Sequence, residues 1–216
     1  MQFVDVFDRQ EIPTPPNGHR YLEFLGGDRQ LRCYLVPKGM PRNRFMNEYG
    51  SLLDESLAPI YDHKGVTVRQ DASYALPGFY IVALHRQYRA LDEMDEKTHL
   101  RLFFVLREVR AGLRAALGVE HVHLYYEEKP DETSSVHYWV MPAQQDAEVP
   151  ATVIMRLNLK DYLRQFRFAA QRPAIIEHNN AMRAYFQETR LRQRDDQLAT
   201  CLEETFPSAT RRRLTR

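Results

Sequence analysis

Cysteine is nearly absent: Cys33 and Cys201 are the two in 216 residues. They stand far apart and in no metal-ligand spacing, which excludes a disulfide scaffold or zinc ribbon and fits a cytoplasmic protein with reduced thiols. A surplus of either charge is also lacking. Thirty Lys and Arg face 29 Asp and Glu, for a formal net charge of +1, so the broad basic excess of a nucleic-acid binder is missing and nucleic acid is not the expected partner. No apolar run approaches the ~18 residues of a membrane span. The stretch from Met1 to Asp8 carries Asp5 and Asp8 where a signal peptide needs positive charge and a longer apolar core. The expectation is a protein neither secreted nor membrane-spanning. There is no Gly-rich phosphate loop, no Ser-His-Asp or Cys-His nucleophile spacing, and no internal repeat.

The length suits one substantial domain with an extension, or two small domains. Ile12 to Gly18 is too rich in Pro to be helix or central strand. Tyr21–Leu25 and Leu31–Val36 flank Gly26-Gly27-Asp28 and read as a hairpin. Tyr49, Leu52, Leu53 and Leu57 recur at helical spacing, which predicts a helix from Asn47, its cap, to Ala58, before Pro59. Two strands, Val66–Gln70 and Gly78–Leu84, follow across the turn Asp71-Ala72-Ser73-Tyr74-Ala75-Leu76-Pro77.

Leu102, Leu106, Val109, Leu113 and Leu117 form an apolar stripe, with acids at its start and Gly118 at its end. That pattern predicts a long helix from about Asp92 to Leu117. A strand from Glu120 to Glu127 comes next. After Pro150 the pattern turns helical, with Asn158 capping Leu159, Leu163 and Phe166, and Pro173 in the first turn of a helix through Phe186. Arg211 to Arg216 is a basic tail, read as solvated rather than as an RNA or DNA contact. The expected divisions are 1–45 (arm and β-hairpin), 46–150 (central domain) and 151–216 (helical extension and tail).

The chemistry gathers on Ser134-Ser135-Val136-His137-Tyr138-Trp139-Val140-Met141-Pro142. Side chains alternate along a strand, so Val136, Tyr138 and Val140 take one face while Ser135, His137, Trp139 and Met141 take the other. If Val122, Leu124 and Tyr126 share the core face, His121, His123, Tyr125 and Glu127 join His137, with the pairing register left open. Two imidazoles at His121 and His123 can reach one ion. Without Cys or a carboxylate at fixed spacing, an exposed pair is the preferred reading, and neither metal nor cofactor is assigned. Arg86 and Arg89 are candidate phosphate partners.

The order of elements, the turn at Asp71 and the strand at His137 resemble the histidine triad (HIT) superfamily of nucleotide hydrolases and transferases over roughly Val66 to Pro142. Its signature is three alternating histidines, then two apolar residues and often a proline. Counting back from Pro142, only the middle histidine is present, as His137; Ser135 and Trp139 replace the outer two. The resemblance implies an α+β fold, a HIT-like antiparallel β-sheet packed with helices, plus the C-terminal helical extension. It implies a homodimer, a nucleotide or dinucleotide substrate, a nucleophile at His137, and Asp71 on the ribose, since a carboxylate accepts from both hydroxyls.

A neutral imidazole attacks phosphorus to give a phosphoramidate that water or another acceptor opens. The family's third histidine assists the leaving group, whereas the indole of Trp139 is a poor acid. His123 is the candidate replacement. Ser134 and Ser135 are candidates for phosphate oxygens, Trp139 and Tyr125 for stacking a base or flanking the leaving group. The competing reading is a catalytically silent HIT-fold module that binds nucleotide or protein.

Overall fold

A computed structural model describes residues 2–6, 14–25, 31–40, 42–71, 74–128, 135–143, 163, 166 and 168–207. The expected hairpin is present as β2 (His19–Leu25) and β3 (Leu31–Pro37), and β1 (Gln2–Val6) pairs antiparallel along the far side of β3. Leu22, Tyr34 and Val36 pack on Phe45, Met46 and Leu57, so residues on both sides of the expected 45/46 division share one apolar cluster. Helix α1 runs Arg42–Leu53, so Asn47 lies inside it rather than capping it. Its inward face begins at Phe45, ahead of the cap signal. Asp54 then accepts from the Ser56 N–H at 2.9 Å and opens a separate 3-10 turn, Glu55–Leu57.

The second sheet is antiparallel in the order β4-β5-β6-β8-β7, from β4 (Tyr61–His63), β5 (Val66–Gln70), β6 (Tyr80–Leu84), β7 (Val122–Glu127) and β8 (His137–Pro142). The architecture is α+β. Helix α2 (Glu96–Leu117) starts where the Asp95 carboxylate accepts from the Thr98 N–H at 2.8 Å. It ends on Gly118 at φ 65°, with Val119 N–H returning to Leu113 O at 3.0 Å. That reverse bond and left-handed glycine satisfy carbonyls the helix leaves open. The expected stripe of α2 meets Val66, Val68, Tyr80, Val82, Leu84, Val136, Tyr138 and Val140 in the main core. Each such aliphatic side chain contributes about 1.5–3 kcal/mol by leaving water.

Leu124 and Tyr126 do pair with the core-facing Val140 and Tyr138, yet they are 52% and 37% exposed. The expectation that they are core is corrected because β7 is the sheet edge, while α2 lies across β5 and β6.

Helix α3 (Phe168–Glu188) begins before Pro173, which sits inside it rather than in its first turn. The expected helix at Asn158, apart from Leu163 and Phe166, and the tail at Arg211 lie outside the described residues. Helix α4 (Leu191–Thr205) was not legible as a helix because polar anchors replace an apolar stripe. Buried Asp195 accepts twice from Arg101 and once from Tyr61, and Arg194 grips Glu108. Burial and the Asp195 hydrogen bond push the Tyr61 phenol far above its usual range. No helix among the described residues is long and apolar enough to cross a membrane.

Candidate functional site

The sheet face opposite the main core carries the chemistry, and the strand registers order it into rows. Thr67, Ala83 and His137 lie side by side, with Glu127 paired to His137. The next row holds Arg69, Ile81, Trp139 and Tyr125. Beyond it stand Asp71, whose N–H donates to Phe79 O at 3.1 Å, then Phe79, Met141 and His123.

His137 is 8% exposed, and its Nδ1 lies 2.9 Å from the Ser135 carbonyl oxygen. A carbonyl only accepts, so Nδ1 carries a proton, and in the neutral imidazole Nε2 is the lone-pair nitrogen. The same Ser135 presents its hydroxyl oxygen to the Tyr88 N–H at 3.1 Å, and Val136 N–H donates to Tyr88 O at 2.8 Å. Ser135 thus orients the imidazole and ties the start of β8 to residue 88. Ser134 lies outside the described residues.

Hydrogen bonds hold the described residues of the turn at Asp71. Asp71 is buried, its Oδ1 accepts from the Tyr74 N–H at 2.9 Å, and the Gln70 amide donates to Leu76 O at 2.9 Å. Gly78 closes the turn at φ 78°, where a Cβ would come within 3.2 Å of Pro142 Cγ. A side chain there would be strained and would press on the end of β8. The two motifs are therefore in contact at Gly78 and Pro142, while Asp71 and His137 are offset by four residues along the strands, about 13 Å.

The registers do not bring His123 to His137. His123 pairs with Met141, two pairs along from His137. The expected histidine cluster is corrected on this point, because the β7-β8 register opposes residue 127, not His123, to His137. Trp139 crosses Phe79 at 88° (centroids 5.4 Å) and Tyr74 at 78° (5.9 Å), and it stands opposite Tyr125. Leu76, Phe79, Met141 and Leu163 complete this apolar cluster, with Phe166 at its margin. Trp139 is thus integrated into protein packing, and its Nε1–H has no hydrogen-bond partner among the described residues. Burial raises the pKa of Tyr125.

Two residues missed from the sequence, Thr67 and Arg69, are 0% and 2% exposed on the His137 face. Their signal was present as the alternation Val66-Thr67-Val68-Arg69, but only the β5-β6-β8 order shows that they share rows with His137 and Trp139. Ala83, the small residue between Thr67 and His137, is itself 0% exposed. The Thr67 hydroxyl has no hydrogen-bond partner among the described residues. Among those residues no three His, Cys, Asp or Glu side chains gather into a metal site.

No family model matches the chain, and no curated protein matches it. Solved structures do. In structure the chain is similar to histidine triad proteins. One is a HIT-like protein involved in cell-cycle regulation from Bartonella henselae, at 14% identity and TM-score 0.41 over 59% of this chain and 84% of that one. A Zn-bound histidine triad family protein from Mycobacterium smegmatis matches at 14% identity and TM-score 0.44 over 61% and 84%. A hypothetical histidine triad nucleotide-binding protein from Sulfolobus tokodaii matches at 14% identity and TM-score 0.44 over 75% and 97%. A likeness of this size carries no argument about chemistry, which rests on the residues of the site itself.

Proposed function

We propose that the chain is a cytoplasmic, nucleotide-binding HIT-like protein that cleaves or transfers at the α-phosphate of a nucleoside phosphate or dinucleotide through His137. The hydrogen bond from His137 Nδ1–H to Ser135 O carries this reading, because it presents Nε2 as the nucleophile. Nε2 forms a bond to the α-phosphorus as the bond to the leaving oxygen breaks and its electron pair departs with that oxygen. Water or an acceptor hydroxyl then attacks the phosphorus, the N–P electron pair returns to Nε2, and the proton of the attacking hydroxyl passes to solvent. Asp71 holds the ribose, and Thr67 and Arg69 contact the anionic part of the substrate.

Among the described residues no imidazole pairs beside His137 to protonate the leaving group, His123 standing two pairs along. The fitting substrate is therefore a phosphoanhydride, whose phosphate leaving group departs as an anion, rather than an ester of a basic alkoxide. Intact-protein mass spectrometry after incubation with ADP, ATP and a dinucleoside polyphosphate is expected to show a nucleotidyl adduct, absent in His137→Ala. Turnover unchanged in His137→Ala would sink the nucleophile assignment.

A silent nucleotide-binding module is the second reading, favoured by the packing of Trp139 against Tyr74 and Phe79 where the family has a histidine. Nucleotide binding by calorimetry, with neither adduct nor turnover, selects it.

We also propose that the protein is a homodimer. The edge strand β7 exposes Leu124 and Tyr126, and Tyr126 connects through Tyr138 (5.4 Å) to Phe103 of α2 (5.9 Å). Among the described residues this edge is unpaired, and an edge bearing apolar side chains is a template for antiparallel pairing with its own copy. Sedimentation is expected to give a dimer that Leu124→Lys/Phe103→Glu converts to monomer; a wild-type monomer at all concentrations rejects it.

A further inference from the structure

Three half-buried arginines are matched to carboxylates, while Arg20 and Arg110 donate to backbone carbonyls. Arg101 is paired with Asp195, Arg172 with Asp54 and Glu55, and Arg194 with Glu108. Arg183 on α3 is of the second kind, and it also lines a groove. Its guanidinium donates to the Asn180 side-chain oxygen at 2.9 Å and to Ala58 O at 3.2 Å, both neutral acceptors. Burial lowers its pKa, opposed by Tyr80 rather than by any carboxylate. A partly desolvated cation with neutral partners gains most from an added anion.

Arg183 opens into a groove of about 550 Å³ at the turn between α3 and α4, beside the end of β4. Arg190 and Arg192 line the same groove, as do Gln187 and Gln193, and among the described residues no Asp or Glu lines it. The first turn of α4 has no acid, and the Arg192 side chain donates to the Asp62 carbonyl oxygen at 3.3 Å. The Tyr61 hydroxyl, also at the groove, is already committed to Asp195. In a chain with a formal net charge of +1, three cations and, among the described residues, no acid thus line one concave place. Tyr61 pairs with Val68 on the core side of the sheet, so this place is separate from the His137 face.

We propose that this groove binds the phosphate or pyrophosphate group of a small organic phosphate, held by Arg183, Arg190 and Arg192. Guanidinium forks match phosphate oxygens two at a time, and the two glutamine amides supply further donors. The site stands independently of the chemistry assigned to His137.

Calorimetry on the full chain with inorganic pyrophosphate tests it. Arg190 and Arg192 are exposed, so Arg190→Gln/Arg192→Gln keeps the fold, checked by circular dichroism and melting. Saturable binding is expected in the wild type and in His137→Asn, weakened at least about tenfold in the double variant. No binding in the wild type overturns the proposal, as does equal affinity in the double variant. Loss of binding in His137→Asn with the double variant unaffected places the anion on the other face and also overturns it. Binding of a single-stranded oligoribonucleotide through these arginines, with no affinity for pyrophosphate, replaces the small ligand with a polymer.

Discussion

Replacing Asp195 with alanine should cost more stability than any surface change in this protein. The Asp195 carboxylate is 0% exposed and accepts from Arg101 Nε and Nη2, each at 2.9 Å, and from the Tyr61 hydroxyl at 2.7 Å. Arg101 is further fixed by donating to Lys64 O at 2.8 Å. Alanine leaves a guanidinium and a phenol buried without their acceptor. Breaking one side of a buried ion pair costs about 3–5 kcal/mol, and the orphaned phenol donor adds to it without full additivity. A loss of about 4 kcal/mol is a large part of a typical 5–15 kcal/mol stability. For a chain of 216 residues it lowers Tm by about 8–16 °C. Urea titrations followed by circular dichroism measure the change. Arg101→Met/Asp195→Leu should recover much of the loss, since apolar groups of similar size need no partner. A loss below about 1 kcal/mol in Asp195→Ala would refute the idea that this contact docks α4.

Gly112→Ala should destabilise by about 1–2 kcal/mol despite alanine's better helix propensity, because the new Cβ would stand 2.8 Å from Met182 Cε and 2.9 Å from Tyr185 Cδ1; a rise in the urea midpoint contradicts it. Glu108 gives a pH signature. Burial pushes its carboxyl up, but hydrogen bonds from Arg194 and Arg107, with their charges, hold it below the usual range. A folded pKa below the unfolded value of about 4.3 means a contribution complete above that value and lost as pH falls through the depressed one. The wild type should therefore lose more stability between about pH 6 and pH 3 than Glu108→Gln; identical pH slopes would remove Glu108 from the acid response.

The central elements were legible because local periodicity and burial agree. The stripe from Leu102 to Leu113 and the alternation Val136-Tyr138-Val140 each describe one buried face. Strand β1 was not legible, since its pairing with β3 joins segments far apart in the chain. Helix α4 was missed because its most buried positions include a carboxylate, Asp195, whose partners come from β4 and α2. A window of local sequence holds no record of such partners.

In the candidate site, the alternating strand placed His137 opposite the core face, and the turn from Asp71 to Phe79 marked a second motif. Tertiary structure decided which groups attend them. The β7-β8 register set His123 beside Met141 rather than His137, and the β5-β6-β8 order added Thr67 and Arg69 to the face. Packing also turned Trp139 into a partner of Tyr74 and Phe79. Residue type and spacing determine which chemistry one strand can carry. Which neighbours share that chemistry depends on strand pairing and on the helices docked around it, and those follow from contacts between distant parts of the chain.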